Sequence, residues 1–244
     1  MKKTLIVLAL ISMISAPYAD DLFKRKISPV PVDIQNKMIN ITWHKGCPVS
    51  FDQLAYLEMT YWGFDNIPHQ GRLIINKKVS VEVINIFKKL FENHFQIESM
   101  DLPENIIHFH IHPTTEELKR YIDLDNTMGF DCRADEQTPS QLSMHSFGYA
   151  IDINPKYNPA VIPKSNKLNL AYEKKYFNRN LNHIGIIKEN DSTFKTFTEN
   201  GWEWGGFFTS GIDYMHFQKV VNEHYVTDRL SYIPPEERIK NLPK

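Results

Sequence analysis

The sequence predicts an α+β fold, a small antiparallel sheet flanked by helices behind an N-terminal extension. Two observations carry that expectation. Strand-like runs and helical periodicities are mixed along the chain without a βαβ rhythm. Of the 244 residues, 42% are hydrophobic and 23% charged, which suits one large domain or two small ones with a real core. The net charge of −1 carries no basic excess of the kind nucleic acid selects, so nucleic acid is not an expected partner.

The elements follow in order. Lys2 and Lys3 precede an apolar run from Leu5 to Ile14, and small residues end at Ala19. The run is short for a bilayer span, so residues 1–19 read as a secretory signal peptide, with an uncleaved anchor as the alternative. Pro17 sits where a small residue is preferred, which leaves the cut site open. Cleavage after Ala19 removes two lysines and takes the net charge from −1 to −3. No later stretch is long and apolar enough to cross a membrane, so no anchor is expected after cleavage. Residues 20–45 read as a polar arm with Pro29 and Pro31 and one β-prone run, Met38 to Trp43. Residues 46–225 are the expected main domain and 226–244 a tail.

Within the domain, residues 71–75 (GRLII) read as a strand. Val79, Val83, Ile86, Phe87, Leu90 and Phe91 recur at helical spacing, which predicts an amphipathic helix over 81–94 with Ser80 as its cap. Ile97 to Leu102 is a second strand candidate. Thr114 and Glu117 form a capping box for a helix to about Tyr121. Gly148 to Ile153 is β-prone and ends at Asn154-Pro155. Residues 155–183 read as a long surface loop. Asp191 or Ser192 caps a helix over Phe194 to Asn200, which Gly201 ends. An aromatic and glycine-rich run, Trp202 to Phe208, leads to a last core strand, Ile212 to Val220.

The chemistry-bearing residues fall in two clusters, Ser143-Met-His145-Ser-Phe-Gly148-Tyr-Ala150-Ile-Asp152 and Asp213-Tyr-Met-His216. A catalytic zinc site uses three N or O ligands and keeps one position open. His145, Asp152 and His216 supply such a set. Asp213 remains as a carboxylate able to take a proton from an attacking water and pass it to a leaving amine. Arg133 suits a substrate carboxylate or a developing oxyanion. Residues three apart on a flat strand face opposite ways, so Asp213 and His216 share a site only if the chain turns between them, and Gly211 makes that plausible. Three alternating histidines, His108, His110 and His112, are either a second metal pattern or a polar strand face. Cys47 and Cys132 read as a disulfide in an exported chain, or as two buried thiols.

The pattern S-x-H-x-x-G-x-A-x-D, followed by W-x-W-G-G and D-Y-x-H-F, resembles the M15 peptidases, which include D-alanyl-D-alanine carboxypeptidases and L-alanyl-D-glutamate endopeptidases. The resemblance runs from about Cys47 to Lys219 and is firmest over 130–155 and 200–218. It implies a DD-peptidase/Hedgehog-like fold and a Zn2+ cofactor held by His145, Asp152 and His216. It implies Asp213 as acid/base, Arg133 as a substrate and transition-state contact, and Ser143 as a serine beside the site. It also favours a Cys47–Cys132 bridge. The implied function is an exported, periplasmic or extracellular zinc peptidase acting on peptidoglycan stem peptides, foremost as a D-alanyl-D-alanine carboxypeptidase. Endopeptidase action at the same site, a secreted effector with the same chemistry, and a non-catalytic zinc-stabilised wall-binding module are the alternatives. The polar stretch Asp135 to Gln141 and the pair Phe207-Phe208 depart from the family pattern.

Overall fold

The computed structural model describes residues 22–106, 114–133, 135, 141–161, 172–209 and 211–220. The expected signal peptide, the three alternating histidines and the 226–244 tail lie outside the described residues. The architecture is α+β, as expected, and among the described residues the strands form two three-stranded antiparallel sheets. The first has the order β1 (Arg25–Ser28), β2 (Leu54–Trp62), β3 (Pro68–Asn76). The second has the order β4 (Ala150–Asp152), β6 (His216–Lys219), β5 (Trp202–Trp204).

Strand β2 alternates its side chains between two apolar environments. Ala55, Leu57 and Met59 join Leu73, Ile75 and the residues of a helix in the main core. Leu54 and Tyr56 face the other way with Ile74, into a smaller cluster containing Val30, Met38, Phe130 and Cys132. That helix spans Ser80–Glu92 and buries Val83, Ile84, Ile86, Phe87, Leu90 and Phe91, the face read from the sequence. It packs on β2 and on a second helix, Ser192–Thr198, which in turn packs on β5. The main core therefore runs continuously from the first sheet to Trp202, Trp204 and Phe217 of the second. Gly148 also joins the sheets: its carbonyl accepts from Asn76 N–H at 2.9 Å, and its φ is +70°. A Cβ there would lie 2.5 Å from Asn76 N, so only glycine permits this approach.

Local expectations hold where short-range chemistry decides. Thr114 and Glu117 form the capping box of the helix Thr115–Asp123. The Asp191 side chain accepts from Phe194 N–H and caps Ser192–Thr198, and Gly201 at φ +73° follows its end.

Others need correction. The stretch read as a polar arm contributes β1, which pairs with β2 from Arg25↔Met59 to Ser28↔Tyr56, and a helix, Val32–Met38, whose Met38 is fully buried. Met38 to Trp43 is not a strand: Ile41, Thr42 and Trp43 N–H all turn back to Met38 O. Ser80 opens its helix from inside, because Asn76 caps the preceding 3-10 turn instead. Ile97 to Leu102 is not a strand: it bends at Glu98 and forms only an isolated bridge, Ser99↔Asn126. The final strand is confined to His216–Lys219, since the chain turns just before it. No helix among the described residues is long and apolar enough to cross a membrane.

Candidate metal centre

Register builds the centre. Strands β4 and β6 pair with Asp152 directly opposite His216 and Ala150 opposite Gln218. Directly opposed residues on antiparallel strands lie side by side on one face. His145 arrives from a 3-10 turn, Met144–Phe147, that leads into β4. Ser143 caps this turn, its hydroxyl accepting from His145 N–H at 3.3 Å. The site therefore depends on Ser143 for shape, whatever else that hydroxyl touches.

One ligand-capable atom from each of His145, Asp152 and His216 lies within 4.8 Å of the other two. His145 Nε2 is 3.2 Å from Asp152 Oδ2 and 3.2 Å from His216 Nδ1. His216 Nδ1 is 3.0 Å from Asp152 Oδ1. All three residues are buried. The far nitrogen of each ring is engaged elsewhere. His145 Nδ1 donates to Gly129 O, and His216 Nε2 donates to Gln218 Oε1 at 3.1 Å. With that nitrogen engaged, each neutral imidazole would have its inner nitrogen to offer to a metal, as metal-ligating histidines do. Burial is the largest influence on the Asp152 carboxyl and pushes it up. The His145 charge and hydrogen bonds from both rings outweigh it and hold Asp152 well below the usual carboxylate range. For His216, burial lowers the pKa, but Asp152 and Asp213 together raise it.

The chain does turn between Asp213 and His216: His216 N–H bonds to Asp213 O at 3.3 Å, and Tyr214–Met215 form the turn. Gly205 makes room for it. Asp213 N–H donates to Gly205 O at 2.9 Å, and a Cβ on Gly205 would lie 2.4 Å from Asp213 O and 3.1 Å from His216 Cβ. The first glycine of W-x-W-G-G therefore packs against the Asp213 turn, while the second lies against the Trp204 ring. Trp204 Nε1 donates to Tyr214 O at 2.8 Å and closes the same turn from the other side.

Arg133 lies beside the cluster on the segment that Cys132 anchors. Its Nε is 3.0 Å from Asp131 Oδ2, its N–H donates to Ser146 Oγ, and its carbonyl accepts from Ser143 N–H. Cys132 is bonded to Cys47, so the bridge reading holds and the free-thiol alternative does not.

Sequence reasoning missed Asp131, Gly129 and Gln218. Asp131 is raised mainly by burial, against the opposing charges of Arg133 and His145, so it links the arginine to the imidazole electrostatically. Its place one residue before Cys132, within Phe130-Asp-Cys-Arg, was the available signal. Gly129 and Gln218 had none: Gly129 acts through its carbonyl on His145, and Gln218 is oriented by Glu203 of the paired strand.

The three donors suit a divalent cation of zinc type: two imidazoles and a carboxylate, buried, oriented from behind and close together. Residues 136–219, which contain all three, match the family model described as D-alanyl-D-alanine carboxypeptidase, an M15-type peptidase group. No curated protein and no solved structure matches the chain.

Proposed function

We propose that this chain is an M15-type peptidase, an exported zinc enzyme that hydrolyses peptidoglycan stem peptides, foremost at the terminal D-alanyl-D-alanine bond. The observation that carries the reading is the convergence of His145, Asp152 and His216 within the segment matched to the family, with Asp213 on the adjoining turn. His145 Nε2, Asp152 and His216 Nδ1 would hold the metal. Bound zinc would lower the pKa of a water from about 15.7 to near 7 and polarise the scissile carbonyl.

The chain's own groups carry the rest. Asp213 takes the proton of the attacking water and returns it to the departing amine, so that the C–N bond breaks without releasing an amide anion. Arg133 presents a planar cation to the terminal carboxylate of the stem, and its ion pair with Asp131 fixes its direction. Recognition of a free carboxylate favours carboxypeptidase over endopeptidase action. Ser143 completes the substrate side of the site beside His145. The Cys47–Cys132 bond fits an oxidising compartment, and hence export.

The test is incubation of the chain from Asp20 with muramidase-digested peptidoglycan, read by mass spectrometry. Loss of one alanine from pentapeptide stems is expected, abolished by a chelator and by Asp213→Ala. Release of whole stems or cut cross-links would make it an endopeptidase. No change with zinc-loaded protein would leave the wall-binding module as the better reading.

A further inference from the structure

Behind His216 lies a polar chain that the reaction above does not use. Gln218 is two residues along β6, so its side chain shares the face of His216, while Phe217 between them points into the core. Ala150, opposite Gln218, is small and leaves space for the amide. Gln218 is buried, 5% exposed, and its Oε1 accepts from His216 Nε2 at 3.1 Å. Its Nε2 donates to Glu203 Oε2 at 3.3 Å, and Glu203 is its register partner on β5.

The direction of each bond follows from the last member. An ionised carboxylate only accepts, so Glu203 draws the NH2 end of the amide toward itself. The carbonyl end must then face the ring, and a carbonyl only accepts, so the ring nitrogen there carries hydrogen. His216 is left with Nδ1 as the nitrogen available to a metal, and that is the atom 3.0 Å from Asp152 and 3.2 Å from His145 Nε2. We infer that Glu203 and Gln218 form a positioning relay that sets the tautomer and rotation of His216 and thereby the affinity of the centre for a divalent metal. The inference rests on the zinc reading and deepens it. Outer partners of metal-bound histidines commonly change affinity by about 10–100-fold when removed.

The experiment measures zinc affinity by competition with a chromophoric chelator, the visible spectrum of the cobalt-loaded protein, and the melting temperature of the metal-free protein. The variants are Gln218→Leu, Glu203→Gln and the exchange Glu203→Gln/Gln218→Glu, each in the full chain. Gln218→Leu is expected to weaken zinc binding about 10–100-fold and to alter the cobalt spectrum. Glu203→Gln, which frees the amide to flip, should weaken it less. The exchange keeps an acceptor facing Nε2 and a donor facing that acceptor, so it should restore affinity to within about threefold of the parent, well inside the loss expected on deleting the partner. A purely structural role would lower the metal-free melting temperature in all three variants and give no restoration by the exchange, which overturns the relay. Unchanged affinity in Gln218→Leu, with the parent binding zinc, also overturns the relay alone. A parent that takes up neither zinc nor cobalt overturns the zinc reading and the relay with it.

Discussion

Single residues here pay their way by what they face. Asp125 is fully buried at φ +49°, and its Oδ1 accepts from Lys156 N–H at 2.7 Å. Its Oδ2 has no hydrogen-bond partner among the described residues. Burial pushes its pKa up to about 8, with Glu98 adding to the rise and Lys156 opposing it. The folded chain therefore keeps a proton that the unfolded chain releases near the ordinary value of 3.8. The contribution of this carboxyl to stability falls as pH rises across that window and is lost above about pH 8. Asp125→Asn keeps the acceptor and removes the ionisation. Urea unfolding at pH 9 is expected to find the variant more stable by about 1–3 kcal/mol, because the variant no longer has to hold an ionised carboxylate in a buried site. The gap should close toward pH 4. The proposed site residues were legible only as a set, because His145, Asp152, Asp213 and His216 stand together in two short glycine-flanked motifs. Gln218 was not, since an amide two residues beyond a histidine has no meaning until a partner strand supplies Glu203.

At the scale of elements, the acid-bearing turn is held by its neighbour. Gly205→Ala would push a methyl carbon to 2.4 Å from Asp213 O and 3.0 Å from Asp213 Cβ. The backbone must move, and displacement of about 1 Å in a catalytic group costs on the order of 10²-fold in rate. Hydrolysis by Gly205→Ala should fall by about that factor while circular dichroism stays near that of the parent; an unchanged rate would show that the turn tolerates the shift. Helices capped by local chemistry were readable in advance, as at Thr114 and Asp191. Strand β2 was not recognised. Its two faces enter two apolar clusters, so Leu-Ala-Tyr-Leu-Glu-Met-Thr-Tyr-Trp lacks the alternation that marks a half-solvated strand. Strand β1, Arg-Lys-Ile-Ser, failed for the opposite reason: it is a short charged edge whose pairing comes entirely from β2.

For the whole molecule, the Cys47–Cys132 bond closes a separation of 85 residues and ties the N-terminal segments to the strand of chain that carries Asp131 and Arg133. Cys132 N–H also donates to Thr42 O at 2.8 Å, so bond and hydrogen bond act on one point. Replacing both cysteines by serine is expected to cost about 2–5 kcal/mol in urea unfolding and to reduce turnover through Arg133. Equal stability and equal turnover would show that packing around Phe130 suffices without the bridge.

The sequence by itself determined the class of fold, the main amphipathic helix, the capped helices and the identity of the residues that converge, because each depends on periodicity, capping or short motifs within about ten residues. Only the tertiary structure decided how those residues meet. The division into two sheets, the Asp152↔His216 register, the room left by Gly205 and the Glu203–Gln218–His216 chain all arise from strand pairing between distant segments. Such pairing is selected by the burial of whole faces at once, and no local window of sequence contains that information.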